Sequence, residues 1–221
     1  MLWRDDFIRT FLERDIPQLG ITIPAETLRR FWTMVAHYHG QIWNAATFAR
    51  SLGTSENTAR RYLDILAGAY VIRVLPPWVE NIRKRQVKAP KIYIRDSGVL
   101  HALLQLQTLA DLQGHPKLGS SWEGFAIEQI IGALETRNTY FWATHAGAEL
   151  DLLILVRGKR FGFELKYADA PARRRSMLIA LEDLHLDHLW VVYPGDQPYY
   201  LDDKISVIPM ADLTRLPSLI G

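Results

Sequence analysis

The spacing of apolar residues predicts two amphipathic helices at the start of the chain. Between residues 3 and 15, apolar residues occupy positions 3, 7, 8, 11 and 12, which is the spacing of one helical face. The segment 25–39 repeats the pattern after Pro24, a residue that suits the start of a helix. Because each helix has a single apolar face, we expect both to pack against a partner.

Residues 41–74 predict two helices joined by a tight turn and followed by a strand. We expect a helix at about 45–51, a turn at Gly53, and a second helix that begins after Ser55, a good N-cap, and ends near residue 66. A strand is expected at 70–75. The arrangement resembles a winged helix-turn-helix, whose second helix contacts DNA. The alternative is a helical hairpin used only for packing or subunit contact.

The second half of the chain alternates strand patterns with helical ones. We expect strands at 91–94, 140–143, 189–193 and 205–208, helices at 97–104, from about 121, from 173 and at 210–216, and irregular structure at 107–119. Helices that alternate with strands in this way are typical of an α/β core.

A change in composition divides the chain into two predicted domains. Residues 76–91 (PPWVENIRKRQVKAPK) open with two prolines and then carry five basic residues against one acid. We predict a helical, winged helix-turn-helix domain at 1–80 and an α/β domain at 81–221. The basic run can neutralise phosphates, and a solvated linker is the alternative interpretation.

The stretch 149–166 (ELDLLILVRGKRFGFELK) predicts two strands around a Gly-centred turn. If Arg157 pairs with Arg160, Asp151 lies opposite Lys166 and diagonal to Glu164. Since side chains alternate with period two, the three charged side chains then share one face. The opposite face is expected to be apolar and to comprise Leu150, Leu152, Ile154, Val156, Phe161, Phe163 and Leu165.

These charged residues predict a metal site. Two close carboxylates repel unless a proton or a cation lies between them, and their oxygen atoms suit Mg²⁺ or Mn²⁺. An ammonium beside the metal helps to position a water or neutralises charge on a phosphate. The predicted ligands are Asp151, Glu164 and the backbone carbonyl of Leu165, and Lys166 orients or activates the water. The alternative is a cross-strand ion pair of Asp151 and Lys166, which contributes about 0.2–1 kcal/mol.

A further acid stands on the first turn of the helix expected from residue 121. Asp151, Glu164 and Lys166 resemble the Asp and Glu-x-Lys of PD-(D/E)xK nuclease cores, which often add a carboxylate from the preceding helix. This resemblance implies that Glu123 is a candidate catalytic residue and metal ligand. Ser120-x-x-Glu123 is also a capping-box pattern, in which Glu123 binds only its own helix terminus. The sequence leaves both interpretations open.

The composition excludes several classes of protein. The 221 residues are 48% hydrophobic and 23% charged, which is ordinary for a globular protein. The absence of cysteine excludes disulfides, thiolate catalysis and zinc–thiolate sites. Without GxxxxGK[ST], this sequence has no P-loop for ATP. No apolar run approaches the roughly 20 residues of a membrane span, and the N-terminus lacks a signal-peptide pattern. We therefore expect a cytoplasmic protein with no membrane partner.

The distribution of charge favours a nucleic-acid partner, although the net charge is only +2. Basic and polar residues cluster on the second helix of the predicted helix-turn-helix, in the segment 76–91, and just beyond the predicted metal site. The candidate DNA contacts are Asn57, Thr58, Arg60, Arg61, Arg83, Lys84, Arg85, Lys88, Arg173 and Arg174.

Several segments together resemble one protein family. They are LERDIPQLG at 12–20, RRYLDIL at 60–66, LPPW at 75–78, KRQVKAPKIYIRDSGV at 84–99, WEGFAIEQI at 122–130, and AELDLLI with FELK in the predicted hairpin. They resemble the C-terminal part of bacterial and archaeal AAA-type ATPases, in which a winged helix and a domain of unknown function with a PD-(D/E)xK nuclease-like fold follow the ATPase. The ATPase half has no counterpart in this sequence.

The resemblance implies a restriction-endonuclease-like core. Its acids would be Glu123, Asp151 and Glu164, its basic partner Lys166, and Glu149 a neighbouring acid. The proline that precedes the Asp in the family motif is replaced here by a leucine at position 150.

The leading hypothesis is a DNA-binding protein with a nuclease-like site that uses Mg²⁺ or Mn²⁺. Under this hypothesis the protein would be a deoxyribonuclease. The alternative is a non-catalytic module that binds DNA or protein and regulates an AAA-type ATPase, which would then be its partner domain. A third hypothesis, homo-oligomerisation, rests on large apolar residues of the first two helices: Trp3, Phe7, Phe31 and Trp32.

Overall fold

The computed structural model describes residues 2–220. They form two compact units, Met1–Val74 with Ile92–Gly124 and Leu75–Lys91 with Phe125–Gly221. The chain therefore passes between the units three times, and the segment 75–91 belongs to the second unit. A functional division at residue 80 stays a prediction.

The first unit is mainly helical. Its elements are α1 (Leu2–Thr10), a π-helical turn (Phe11–Asp15), α2 (Ile16–Gln18), α3 (Ala25–His37), β1 (Gln41–Ile42), α4 (Ala45–Leu52), α5 (Glu56–Gly68), β2 (Ile72–Leu75), β3 (Lys91–Ile94), α6 (Ser97–Leu103) and α7 (Leu109–Gln113). The three strands form a sheet in the order β1-β3-β2. Helix α8 (Leu118–Leu134) runs from this unit into the second.

Helices α4 and α5 form where the sequence predicts them, because their caps are local. The Asn44 side chain accepts a hydrogen bond from the Thr47 amide at 3.2 Å and so begins α4. Gly53 ends α4 in the left-handed conformation, with φ of 66°. The Ser55 hydroxyl then accepts a hydrogen bond from the Thr58 amide at 3.1 Å and begins α5.

Aromatic side chains fill the core of the first unit. Phe31 and Trp32 on α3 are fully buried; their rings lie 5.5 Å from Phe48 and 5.3 Å from Phe11, respectively. These two residues are therefore core residues, and their predicted role in an oligomer interface is wrong. Trp3 alone of the four proposed residues is largely exposed, at 71%.

A buried histidine ties three elements of the first unit together. His39 Nδ1 accepts a hydrogen bond from the Ile94 amide at 2.9 Å, so Nε2 carries the proton and donates to the Ser120 carbonyl at 3.0 Å. Burial lowers the pKa of His39 to about 3, and the ring is neutral at pH 7. Gly124 on α8 faces this ring without a side chain.

The second unit is built around a six-stranded sheet. After α8 come β4 (Thr139–Ala143), β5 (Glu149–Val156), β6 (Lys159–Leu165), α9 (Arg175–Asp183), β7 (His188–Tyr193), β8 (Tyr199–Asp202), β9 (Ile205–Pro209), a 3₁₀-helix (Met210–Arg215) and α10 (Leu216–Ile220). The strand order is β4-β5-β6-β7-β9-β8.

Both strand directions occur in this sheet. Strands β4, β5 and β6 form an antiparallel meander, whereas β6, β7 and β9 are parallel, and β8 is antiparallel to β9. A parallel pair needs a crossover connection, which α9 provides between β6 and β7. Met177 and Ala180 of α9 are fully buried in a cluster with Leu153, Leu189 and other sheet residues. The expected mixed α/β fold is confirmed at this level.

In parts of the chain, the structure differs from the elements that the sequence predicts. Residues 107–119, expected to be irregular, contain α7, because Thr108 and Asp111 form a capping box. Helix α8 begins at Leu118, before the predicted start at Ser121. The edge strand β8 was not expected, because its sequence, YYLD, is too short to show an alternating pattern.

We predict that Gly124→Ala destabilises the protein by about 1–3 kcal/mol, because overpacking a rigid site has this cost. A Cβ at this position would lie 2.5 Å from His39 Nε2, and hydrogen bonds on both sides hold the ring. Gly119→Ala on the same helix is the matched control, since nothing lies within 4 Å of its Cβ position. Urea unfolding of both variants measures the difference; equal stability would contradict the role of His39.

Candidate functional site

The hairpin of β5 and β6 turns one residue earlier than the sequence predicts. Val156 pairs with Lys159, so the turn consists of Arg157 and Gly158, which have φ of 51° and 79°. Positive φ at both positions is typical of a type I′ turn, whose twist matches that of the strands. The predicted pairing of Arg157 with Arg160 is therefore wrong, and the register moves by two residues.

A β-bulge interrupts β5 at the candidate site. Tyr140 pairs with Leu153 and Trp142 with Leu150, so β5 holds one more residue than β4 between these pairs. As a result, Leu150 and Leu153 lie in the same apolar cluster as Trp142. The prediction that Leu150 shares a face with Leu152 is wrong, because the bulge breaks the period of two.

The bulge changes the hydrogen bonding of Asp151. The ladder of β5 and β6 ends at the pair of Leu152 and Phe163. At the next step, the Asp151 carboxylate accepts a hydrogen bond from the Leu165 amide at 2.8 Å. This contact fixes the carboxylate at the carboxyl end of β6.

The predicted charged residues converge at this point. Lys166 Nζ lies 2.7 Å from Glu164 Oε2 and 3.3 Å from Asp151 Oδ2. Both acids are buried, with 3% and 7% of their surface exposed, respectively. A single ammonium group thus bridges two buried carboxylates.

The electrostatics favour a further positive charge at the cluster. Burial raises the pKa of Glu164, and the neighbouring Asp151 carboxylate raises it further, whereas Lys166 opposes the shift. Burial alone would lower the pKa of Lys166, but the two carboxylates raise it above its ordinary value. Two carboxylates and one ammonium have a net charge of −1, which a proton on Glu164 or a cation would neutralise.

A second lysine, Lys91, lies beside this cluster, although its sequence position assigned it only to the basic segment 76–91. Lys91 is buried, and its Nζ lies 2.5 Å from Glu149 Oε1 and 5.5 Å from the centre of the Phe141 ring. The Glu149 carboxylate also contributes to the raised pKa of Glu164. The signal for Lys91 was its position as the first residue of a strand that is otherwise apolar.

Glu123 lies in the second turn of α8 and accepts a hydrogen bond from the Tyr93 hydroxyl at 2.5 Å. The capping-box interpretation is wrong, because Ser120 is inside the helix and its hydroxyl donates to the Lys117 carbonyl. Glu123 belongs to the first unit and Asp151 to the second. A shared metal site therefore stays a prediction.

The donor atoms of the cluster fit a hard divalent cation in part. Two carboxylates suit Mg²⁺ or Mn²⁺, which commonly take few protein ligands and several waters. Within residues 2–220, no three His, Asp or Glu side chains are grouped to hold a metal ion. The Lys166 ammonium bridges both carboxylates, so a cation would have to displace it. A ligand role for the Leu165 carbonyl stays a prediction.

The predicted DNA contacts on α5 are accessible. Asn57, Arg60 and Arg61 are exposed. Arg60 lies 3.5 Å from Glu56 in an ion pair, and the Thr58 hydroxyl hydrogen-bonds that of Ser55 at 2.9 Å. Asn57 and Arg61 are therefore better placed than the other two to contact a phosphate.

The basic segment 76–91 is an ordered part of the second unit, so the interpretation as a solvated linker is wrong. It lies along the edge strand β4, through bridges of Pro77 with Phe141 and Gln86 with Thr144. The Gln86 side chain also accepts a hydrogen bond from Trp142 Nε1 at 2.9 Å. This segment covers an edge that would otherwise expose unpaired backbone groups.

The basic residues of the second unit differ in their partners. Arg83, Arg85 and Lys88 are exposed, whereas Lys84 forms an ion pair with Asp183 at 2.6 Å. Arg173 lies 2.5 Å from Asp202, and Arg174 is the N-cap residue of α9 without a side-chain cap. Their contact with nucleic acid stays a prediction.

The raised pKa of Glu164 predicts a pH dependence of stability. Its pKa is about 8 in the folded protein against an ordinary value of 4.5, so only the folded state holds this proton between those values. The contribution of this group to the unfolding free energy therefore falls as pH rises from about 5 to 8, on the order of 1 kcal/mol per pH unit.

Urea unfolding between about pH 5 and 8 measures this contribution. Wild type should lose stability relative to Glu164→Gln as the pH rises, because the amide does not titrate. Glu182→Gln, at an exposed position of α9, is the control and should follow wild type. Parallel pH profiles of wild type and Glu164→Gln would contradict the raised pKa.

Two family models together match most of the chain. Residues 1–110 match the model of a domain of unknown function, DUF8612, and residues 118–213 match that of another, DUF4143. The second is associated with the C-terminal region of AAA-type ATPases. Within the described residues, no helix is both long and apolar enough to cross a membrane.

Two curated relatives and one solved structure are similar to the chain. Uncharacterized protein Rv2008c of Mycobacterium tuberculosis and uncharacterized protein Mb2031c of Mycobacterium bovis are each 52% identical over 207 residues. The match covers 94% of the chain and 47% of each relative, so the chain spans about half their length. Protein VC1899 of Vibrio cholerae is 14% identical; the match covers 87% of this chain and 50% of that one, with a TM-score of 0.28.

Proposed function

We propose that this protein binds nucleic acid and hydrolyses phosphodiester bonds with Mg²⁺ or Mn²⁺ at Asp151 and Glu164. The observation that carries the proposal is the convergence of two buried carboxylates on Lys166, within 3.3 Å. Buried charges are costly unless they are paired or hold a metal. Two ionised carboxylates and one ammonium have a net charge of −1, so a divalent cation would replace the proton that the raised pKa of Glu164 retains.

Asp151, Glu164 and Lys166 would have different roles in the proposed hydrolysis. Asp151 and Glu164 would hold the cation, which would supply an electrophile for the phosphate and acidify a bound water. The amide of Leu165 keeps Asp151 in place at 2.8 Å. Because the pKa of Lys166 is raised, its ammonium stays protonated at pH 7 and does not act as a general base. Its proposed role is to orient the water and to balance charge on the phosphate.

The topology of the second unit supports a nuclease-like core. A helix, three antiparallel strands, a crossover helix and a parallel strand follow one another as α8, β4, β5, β6, α9 and β7. The acids lie at the carboxyl end of β6 and at the start of β5, where the ladder opens. This arrangement agrees with the resemblance to the PD-(D/E)xK fold, in which Asp and Glu-x-Lys stand on neighbouring strands.

The first unit supports binding to duplex DNA. Helices α4 and α5 have the turn of a helix-turn-helix, and the strands that follow form a small sheet with β1. The exposed residues of α5 include the arginines expected of a helix that contacts DNA. We propose that this unit is a winged helix-turn-helix and that α5 enters the major groove.

A specific observation also favours the alternative, a non-catalytic module that regulates an AAA-type ATPase. Lys166 already pairs with both carboxylates, so the cluster is stable as an ion-pair network without a metal. The association of DUF4143 with AAA-type ATPases and the greater length of the curated relatives are consistent with such a partner domain.

We predict that the protein cleaves DNA in the presence of Mg²⁺ or Mn²⁺ and that Asp151→Asn reduces the rate at least about a hundredfold. Glu164→Gln should have a similar effect, since each substitution removes a charged ligand. Glu182→Gln, exposed on α9, is the control and should leave the rate unchanged. Cleavage of labelled duplex and single-stranded oligonucleotides measures the rates.

Two outcomes of this assay would overturn the proposed hydrolysis. One is a wild-type protein that cleaves no DNA or RNA with either metal, in which case the regulatory alternative stands. The other is a rate that is undiminished in Asp151→Asn.

We predict that Arg61→Gln weakens duplex binding and lowers the slope of log K against log salt by about 1, because one phosphate contact is lost. Arg60→Gln should have the smaller effect, since Arg60 is partly neutralised by Glu56. Arg137→Gln, an exposed arginine between α8 and β4, is the charge-matched control. Equal slopes for Arg61→Gln and Arg137→Gln would contradict a contact through α5.

A further inference from the structure

A pocket of about 460 Å³ opens on the second unit at strands β6, β7, β9 and β8. We call it the aromatic pocket; Phe161, His188, Trp190, Tyr200, Asp212 and Arg215 are among its lining residues. Its volume is within the range of pockets that bind small molecules. None of these residues belongs to the cluster of Asp151, Glu164 and Lys166.

The floor of the pocket is a row of aromatic rings on one face of the sheet. Phe161 pairs with His188, and Ser206 pairs with Trp190 on one side and Tyr200 on the other. Residues that pair directly across strands share a face. The floor therefore extends over four strands, and the rings of Phe161 and His188 are tilted by 45° and 51° to that of Trp190.

Trp190 is the fixed centre of this floor. Its ring lies 5.4 Å from that of Phe161 and 4.6 Å from that of His188. It also stacks on the ring of Phe163, its partner on β6, at 5.3 Å with an interplanar angle of 24°. Only 6% of Trp190 is exposed, whereas Tyr200 at the pocket is 82% exposed. A rigid ring thus faces the cavity beside an accessible one.

Polar groups stand at two places in the pocket. His188 Nε2 and the Ser206 hydroxyl form a hydrogen bond of 2.7 Å. Burial lowers the pKa of His188, and Lys204 lowers it further, so this pair is neutral at pH 7. On the 3₁₀-helix, Asp212 Oδ2 and Arg215 Nη1 lie 3.7 Å apart, and 64% of the Arg215 side chain is exposed. The Asp212 carboxylate, which accepts hydrogen bonds, therefore lies next to the Arg215 guanidinium, which donates them, and the two are only weakly paired.

We propose that the aromatic pocket binds a purine nucleobase, with guanine preferred. The base would stack on the exposed ring of Tyr200, as bases do on exposed aromatic side chains. Guanine presents two donors beside the O6 and N7 acceptors, which complements the carboxylate of Asp212 and the guanidinium of Arg215. A purely aliphatic ligand would leave this charged pair unmatched.

The pocket is independent of the proposed hydrolysis. Phe163 stacks on Trp190, and side chains alternate along β6, so Glu164 projects from the other face of the sheet. Substitutions in the aromatic pocket therefore leave the carboxylate cluster intact. Failure of base binding and failure of cleavage can be distinguished, because each is tested with its own variants.

Isothermal titration calorimetry of the full chain with guanosine, adenosine and cytidine monophosphates tests the proposal. We expect saturable binding of guanosine monophosphate, roughly tenfold tighter than that of adenosine monophosphate. Asp212→Asn and Tyr200→Ala should each weaken it at least about fivefold. Asp203→Asn, an exposed carboxylate on the turn between β8 and β9, is the matched control and should bind as wild type.

A second arm compares the mononucleotide with a single-stranded oligonucleotide that contains one guanine. Tighter binding of the oligonucleotide, with the same loss in Asp212→Asn, identifies a strand as the source of the base; binding of the mononucleotide alone identifies a free nucleotide. The proposal is overturned if none of the ligands saturates, or if Asp212→Asn and Tyr200→Ala bind guanosine monophosphate as tightly as the control.

Discussion

The pairing of two buried carboxylates with one lysine is the interaction on which the rest of this account depends. Asp151 and Glu164 are almost fully enclosed, and charges in such surroundings persist only when they are compensated. The single positive charge of Lys166 balances only one of the two negative charges. The pKa of Glu164 is raised because protonation of its carboxylate removes the other. Apolar residues in place of a buried ion pair often cost no stability, so the stability of the fold alone does not require these charges.

The backbone adapts to this cluster. The bulge in β5 inserts one residue between the pairs made by Leu150 and Leu153, and the Asp151 carboxylate replaces a ladder contact at Leu165. Bulges are frequent next to active sites because they change the direction of a side chain. Around them, the segment 76–91 covers the edge of β4, and the buried Lys91 with its half-exposed partner Glu149 adds charges beside Glu164.

Local signals made part of the structure predictable. Asn44, Gly53 and Ser55 define α4 and α5 through contacts within a few residues, and the hairpin follows from its Gly-centred turn. The convergence of Asp151, Glu164 and Lys166 was predicted correctly although the assumed register was not, because a shift of two residues keeps side chains on the same face.

Long-range contacts made the rest unpredictable. The bulge depends on the pairing of β4 with β5, and the burial of Phe31 and Trp32 depends on Phe48 and Phe11. Likewise, the aromatic pocket joins residues of four strands and a 3₁₀-helix that no sequence spacing relates. Sequence periodicity assigns a face to each residue, whereas only the folded chain determines which faces meet.

Proton release on metal binding tests the central claim most directly. If a divalent cation enters between Asp151 and Glu164, it displaces the proton that the raised pKa of Glu164 retains at pH 7. Calorimetric titration with Mn²⁺ in buffers of different ionisation enthalpy should give saturable binding and release of up to about one proton per ion. Loss of this proton release in Glu164→Gln would agree with the account. No saturable Mn²⁺ binding, or equal proton release in the variant, would contradict it.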